Sequence, residues 1–368
     1  MKDKKVCIDI RMAFHSGIGT YIRNLLPYIK KSNLSLKVLA PFSYIEKWPE
    51  LKTYDLIPFN APIYSLREQI ELSLKIPLCD LFWSPHYNIP LGPIRAKRRL
   101  TSVHDVYHLA YGYRLGWLKK SYAKIMLQQV AYLSDHIVTI SNFSKREIVQ
   151  WAAIEEKKIS VAYLGVNPLQ FSLIQENEAL QKIKHLYGLP HQYILFVGNL
   201  MFHKNLSRLL QAWLLVQSKH RSYKLVLVGK KDRKSFYENV MSENPSLKNS
   251  VLQLGNIEQS HLPIIYQLAK GFILPSLYEG FGLPPLESMM MQCPTIVSKA
   301  ASLPEVCQEA SLYVDPYDVH DIAQKICELI ENPTLRQTLV DKGLDHIKHF
   351  SWEKTAQTHL EIIYGLIS

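Results

Sequence analysis

The chain has 368 residues, of which 47% are hydrophobic and 20% charged. That is an ordinary globular composition, and it excludes a disordered chain, a fibrous repeat and a disulfide-stapled scaffold. The formal net charge of +11 is placed unevenly: residues 1–170 hold 24 Lys and Arg against 13 Asp and Glu, whereas residues 171–368 hold 19 of each.

In chain order, Val6–Ile10 reads as a buried strand, followed by the turn-like segment from His15 to Thr20 and a helical pattern over Tyr21–Ile29. Strands follow at Leu36–Ala40, Leu81–Trp83, Leu100–Val103, Ile137–Ile140 and Ile159–Tyr163, with helical patterns at Trp117–Leu133 and Ser144–Ala152. Asn167-Pro168 then breaks the rhythm, and a polar stretch follows. Alternation restarts with strands at Tyr193–Val197, Leu225–Val228, Val251–Leu254, Phe272–Leu274 and Thr295–Val297. Helical patterns accompany them at Leu206–Gln217, Leu262–Leu268 and Leu286–Met291. Such alternation implies parallel sheets covered by helices on both faces. Single cores stop growing near about 250–300 residues, so two α/β domains are expected. The boundary is placed at residue 170, giving domains 1–170 and 171–351. Ser351 is a candidate N-cap, and the terminal helix 352–368 either packs on the second domain or crosses back onto the first.

Five scattered cysteines without a C-x-x-C pair point to thiols in a reducing compartment. The N-terminus lacks the apolar core of a signal peptide, and no apolar run approaches the roughly 20 residues of a membrane span. A cytoplasmic protein is expected, with any membrane contact peripheral.

Four segments carry chemistry. Gly17 and Gly19 lie between the first strand and its helix, where small residues let backbone N–H groups approach an anion; a plain tight turn explains them equally well. The segment is not G-x-G-x-x-G, so a dinucleotide fingerprint fails. His104-Asp105 follows a strand end, the usual ligand edge of an open α/β sheet. The histidine can donate to a sugar hydroxyl or stabilise developing charge, although a structural histidine and a turn-capping aspartate remain alternatives. Gly198 to Asn205 leads from a strand into a helix, and Lys204 there suits a diphosphate, although an exposed lysine near a helix cap is the plain alternative. The sharpest segment is Pro275 to Glu287. It sets Glu279 and Glu287 eight residues apart around Gly280, Phe281, Gly282 and Leu283, with Pro284-Pro285 suited to a helix start. A carboxylate accepts twice, so Glu287 can bridge vicinal hydroxyls. An acidic helix start accounts for Glu287 but not for the rest.

Taken in order with Ile140-Ser141-Asn142, Tyr163 to Val166, Ser302 to Val306 and Ser351-Trp352, these segments resemble retaining glycosyltransferases of the large family 4 type. That group carries a Glu-x7-Glu motif and includes sucrose synthases and bacterial mannosyltransferases; the pattern here is nearest the latter. The resemblance covers almost the whole chain. It implies the GT-B fold: two Rossmann-like, doubly wound domains facing across a deep cleft, the first for the acceptor and the second for a nucleotide-sugar donor. It also implies roles. Glu279 would contact hydroxyls of the donor sugar, and the backbone of Gly280, Phe281, Gly282 and Leu283 would approach the sugar and phosphates. Glu287 would hold the ribose. Lys204 would neutralise the diphosphate, helped by Gly17 and Gly19, and His104 would sit beside the transferred sugar. Two departures stand out: Asn199 and His203 occupy positions where many members carry an arginine, with Arg208 a substitute, and Ser16-Gly17 replaces a Gly-Gly pair.

The expected activity is therefore retaining transfer of a hexose, with GDP-mannose the favoured donor, onto a glycan or lipid-linked acceptor. No Asp-x-Asp is present, so neither metal nor cofactor is expected. An epimerase of the same fold and a non-catalytic nucleotide-sugar-binding protein are the competing readings. The basic first half has clusters at Arg95 to Arg99 and at Arg114, Lys119, Lys120 and Lys124. The second cluster is interleaved with Tyr111, Tyr113, Leu115, Trp117, Leu118 and Tyr122, a mixture that suits an anionic membrane surface. An internally packed helix with solvated lysines is the plainer alternative. Nucleic acid is not an expected partner, and the oligomeric state is open.

Overall fold

A computed structural model describes residues 4–112, 116–230 and 238–368. Tyr113, Arg114 and Leu115 of the aromatic–basic stretch lie outside the described residues. The chain divides into two units, 1–165 with 351–368, and 166–350.

The first unit holds a seven-stranded sheet: β1 Lys5–Asp9, β2 Ser35–Ala40, β3 Asp55–Pro58, β4 Cys79–Ser84, β5 Ala96–Ser102, β6 His136–Thr139 and β7 Ile159–Val161. Every pairing is parallel, in the order β3-β2-β1-β4-β5-β6-β7. The middle of β1, Val6, Cys7 and Ile8, is apolar throughout because both of its faces are covered. The second unit repeats this plan with six parallel strands: β8 Tyr193–Val197, β9 Lys224–Val228, β10 Val251–Gly255, β11 Gly271–Leu274, β12 Thr295–Ser298 and β13 Leu312–Val314. Their order is β10-β9-β8-β11-β12-β13. Winding reverses between β1 and β4, and again between β8 and β11. At such a point the loops leaving adjacent strand ends turn in opposite directions and open a crevice.

The helix Trp352–Ile367 belongs to the first unit. Ser351 caps it, its hydroxyl accepting from the Lys354 N–H at 3.2 Å. Its buried face is Trp352, Thr355, Ala356, His359, Ile363 and Ile367. Burial pulls His359 down to about 4, so the ring is neutral. Nδ1–H then donates to the Thr355 carbonyl at 2.6 Å, and Nε2 accepts from the Tyr21 hydroxyl at 2.5 Å. Ser102 lies 2.9 Å from the same hydroxyl and accepts from Trp83 Nε1 at 2.9 Å. Gly165 explains why two distant motifs belong together: any side chain there would run into the backbone of Ser351 and Trp352.

The first helix spans Ser16–Lys30, five residues earlier than its periodicity indicates. Gly17 and Gly19 therefore lie in its opening turns and not in a loop. The helix Leu66–Lys75 and the edge strand β3 have no counterpart in the sequence reading.

Candidate functional site

In the second unit the loop after β8 tightens into a short turn, Phe202–Lys204, and then Asn205 adopts φ +61°. Asparagine is among the few residues that tolerate this left-handed geometry. The buried Asn205 side chain donates to the carbonyls of Pro275 at 3.0 Å and Pro316 at 2.6 Å, tying together the loops that follow β8, β11 and β13. The Leu277 N–H donates to the His203 carbonyl at 2.7 Å. These bonds bring the two switch-point loops side by side.

Their meeting places Lys204 Nζ 2.6 Å from Glu279 Oε1, with the side chains 13% and 11% exposed. The Ser276 hydroxyl donates to the same oxygen at 2.6 Å. Burial works against the Glu279 charge, but Lys204, His203 and Ser276 together hold its carboxyl below the usual range. Ser302, at the start of the Ser302-Leu303-Pro304-Glu305-Val306 segment, donates its hydroxyl to the carbonyls of Glu279 and Phe281, each at 2.9 Å. Gly282 turns the loop into the helix Leu283–Met290 at φ +106°. A side chain at that position would both strain the backbone and meet Leu303.

Glu287 falls in the second turn of this helix, whose first turn holds no acidic residue. The placement at a helix start is thus corrected: the helix begins earlier, at Leu283, ahead of both prolines. Burial raises Glu287 to about 7, against a 3.1 Å hydrogen bond from the Tyr266 hydroxyl. The two carboxylates are therefore unlike: Glu279 is ionised and paired, while Glu287 is poised between its two forms at neutral pH. The helix Leu206–Lys219 also opens without an acidic first turn, so its positive end complements Lys204. Arg208 sits one turn on, donating to Asn205 Oδ1 at 3.1 Å with its guanidinium 5.3 Å from the Tyr317 ring centre. Asn199 shapes the turn through its carbonyl, which accepts from the Met201 N–H at 2.7 Å.

The first unit holds the other expected residues. His104 Nε2 donates to the Pro85 carbonyl at 3.1 Å, and its ring meets Tyr21 edge-on at 4.7 Å. Burial lowers its pKa. With the proton on Nε2 already committed, Nδ1 of the neutral ring is an acceptor. The expectation of a donating His104 changes accordingly to one that accepts a hydroxyl proton. Asp105 Oδ1 receives the Tyr107 N–H at 3.0 Å and stabilises a turn. Gly17 is exposed with open space where a side chain would be, whereas Gly19 is buried against the Ala13 carbonyl. Only Gly17 is open to a ligand.

A buried charge network at this switch point has no counterpart in the sequence reading. Arg11 grips Asp9 with Nε and Nη2 at 2.9 and 2.6 Å, and reaches Glu68 at 2.7 Å. Glu68 also accepts from Tyr64 N–H at 2.7 Å and Asn88 Nδ2 at 2.6 Å, and Asn88 Oδ1 accepts from the Tyr122 hydroxyl at 2.6 Å. An arginine just past the end of an apolar strand was the available signal. Among the described residues, one group of potential metal ligands occurs, His220, Cys327 and Glu331; it belongs to helix ends and not to these loops.

Residues 15–168 match the family model described as Glycosyltransferase Family 4, and residues 179–346 match Glycosyl transferases group 1. O-antigen chain mannosyltransferase B of Escherichia coli is 31% identical over 290 residues, covering 76% of this chain and 72% of that protein. The chain belongs to glycosyltransferase family 4. O-antigen chain mannosyltransferase RfbU of Salmonella typhimurium is 28% identical over 270 residues, 73% of this chain and 69% of that one. The structure of Anabaena HepE with UDP and glucose superposes with a TM-score of 0.79, covering 98% of this chain and 100% of that chain at 15% identity. This family 4 glycosyltransferase thus has the GT-B fold and is a hexosyltransferase.

Proposed function

We propose that this glycosyltransferase moves mannose from GDP-mannose, with retention and without a divalent metal, onto a glycan or lipid-linked acceptor of the O-antigen kind. The reading rests on one observation: the loops after β8 and β11 bring Lys204 within 2.6 Å of Glu279 at a switch point. Lys204 and the start of the helix Leu206–Lys219 offer positive charge to a leaving diphosphate. Glu279, fixed at neutral pH as a carboxylate, accepts from hydroxyls of the donor sugar. Because that carboxylate is occupied by Lys204 and Ser276, it is poorly suited to attack carbon. The acceptor hydroxyl then attacks on the face the diphosphate leaves, and a phosphate oxygen takes its proton. Glu287 receives the ribose hydroxyls, and His104 Nδ1 accepts from a hydroxyl of the sugar or acceptor. The mannosyl donor is favoured by the relatives' names. A cytoplasmic enzyme meeting an anionic membrane through its basic first unit completes the reading.

The test is transfer and calorimetric binding across a panel of nucleotide sugars, with the product's anomeric configuration read by NMR. GDP-mannose is expected to bind and turn over with retention, and EDTA is expected to leave the rate unchanged. Lys204→Ala should cost about 10²–10³ in rate, and Glu279→Gln should lose most activity while remaining folded. An epimerised free sugar, an inverted product or donor binding without transfer would each overturn it.

A further inference from the structure

The first unit wears apolar side chains on the outside of two helices. In the helix Leu66–Lys75 only Glu68 and Leu72 are buried. Leu66, Ile70 and Leu74, spaced four apart on one stripe, are 67–87% exposed, and Leu78 just beyond is 73% exposed. In the helix Trp117–Leu133 the buried face is Ala123, Met126, Leu127 and Val130. Trp117, Leu118 and Ile125 point outward, 55–75% exposed. A folded chain leaves such stripes open at a cost in apolar hydration, and exposed apolar stripes of this kind mark a contact surface.

The two helices are neighbours. Right-handed crossovers from β3 to β4 and from β5 to β6 put both on the same face of the sheet. The connection between β4 and β5 contributes no helix to separate them. Tyr122, Asn88 and Glu68 form a hydrogen-bonded chain from one helix to the other. Gln69 pins the intervening loop, donating to the Ile89 carbonyl at 3.2 Å and accepting from the Leu91 N–H at 3.0 Å.

Charge selects the occupant. The first unit carries 25 Lys and Arg against 15 Asp and Glu, and the second 18 against 17. On the two helices, Lys75, Lys119 and Lys124 are exposed beside the apolar stripes, and Arg67 is paired with Glu71. Leucine, isoleucine and tryptophan flanked by lysines suit a bilayer interface, where apolar groups enter the headgroup–acyl boundary and the lysines meet phosphates. We propose that this two-helix face docks on a bilayer containing anionic lipid. The proposal deepens the membrane partner of the reading above by naming the surface, and adds the helix Leu66–Lys75, which composition alone did not flag. It uses nothing from the donor site.

The full chain is sedimented with vesicles of phosphatidylcholine, with and without phosphatidylglycerol, at low and high salt. Binding is expected to the anionic vesicles and to weaken with salt. The surface double variant Ile70→Ser/Leu74→Ser should lose about tenfold or more of that binding, with its thermal melt and donor binding unchanged. Lys119→Gln/Lys124→Gln should weaken the preference for phosphatidylglycerol and flatten the salt dependence. Wild-type protein indifferent to both vesicles, or a serine variant that binds like wild type, overturns the proposal. A self-associated wild type that Ile70→Ser/Leu74→Ser turns monomeric, without vesicle binding, assigns the face to a second copy instead. Vesicle binding by a chain that binds no nucleotide sugar would leave this proposal standing and remove the donor reading.

Discussion

The two switch points share a strand order and differ in what their charges can reach. In the first unit Arg11 is 2% exposed and clamped between Asp9 and Glu68, themselves 8% and 0% exposed. Its guanidinium also lies 4.3 Å from the Phe59 ring centre and donates to the Ala61 carbonyl at 3.0 Å. Each of its three nitrogens donates inside the protein, so it holds loops together. In the second unit Lys204 answers to one carboxylate and remains partly accessible. An ammonium on a flexible stem can turn from that partner to a phosphate, whereas a planar fork in a fitted socket cannot. Topology therefore provides two crevices of one kind, and the cation at the second is the more accessible of the two.

That contrast breaks most visibly at Arg11. Arg11→Ala leaves two buried carboxylates without their counter-ion and should cost about 3–5 kcal/mol of stability, measured by urea unfolding. Donor affinity of the folded protein should be unchanged. A stable Arg11→Ala that no longer binds nucleotide sugar would place the first crevice in donor recognition and dissolve the distinction.

Glu287 tests the second crevice by pH. Its folded value of about 7 stands above the ordinary 4.5. The folded state thus holds this proton more tightly than the unfolded one. The associated stability is complete below about 4.5 and is lost as pH rises through about 7. Donor binding works in the opposite direction, because a carboxylate that accepts two hydroxyls must be ionised. Affinity for a GDP-sugar should rise between pH 6 and pH 8 with uptake of a proton by the buffer, seen by calorimetry in buffers of different ionisation enthalpy. Glu287→Gln should bind more weakly and without this slope. A slope that survives the substitution assigns the titration elsewhere.

The smallest expected effect is at Ser302. Ser302→Ala removes the hydroxyl that holds the carbonyls of Glu279 and Phe281, for about 1 kcal/mol of stability. The rate should fall further than stability does, since the loop carrying Glu279 loses its tie. Equal small losses in both would make Ser302 a packing residue only.

Sequence reading located strands buried on both faces, such as Tyr193–Val197, because the run is too short for a helix and rich in aromatic and β-branched residues. β3 escaped because Asp55–Pro58 has only two apolar residues between an aspartate and a proline, and lies at an edge. The helix Leu66–Lys75 escaped for an instructive reason: its inward face includes a glutamate beside Leu72, and Leu66, Ile70 and Leu74 face outward. The stripe that fits it for a surface blurs the pattern that would reveal it. At the second switch point Lys204, Glu279 and Glu287 were singled out from motif spacing, and the fold brings Lys204 and Glu279 together. Asn205 and Ser302 lay within recognised segments without roles, because their partners Pro275, Pro316 and Phe281 meet them only in the folded chain. The charge excess shifts as well: the returning helix takes Glu353, Lys354 and Glu361 to the first unit, leaving it at +10 and the second unit at +1.

The same helix orders events during synthesis. Residues 166–350 form one uninterrupted unit, so the second unit completes its core without a segment from elsewhere in the chain. The first unit is made earlier but finished last. Until Trp352–Ile367 has emerged, Tyr21 has no His359 to bond, and an apolar strip of the first unit stays uncovered. The unit begun first thus cannot close its core until residues 351–368 have joined it across the whole of the second unit.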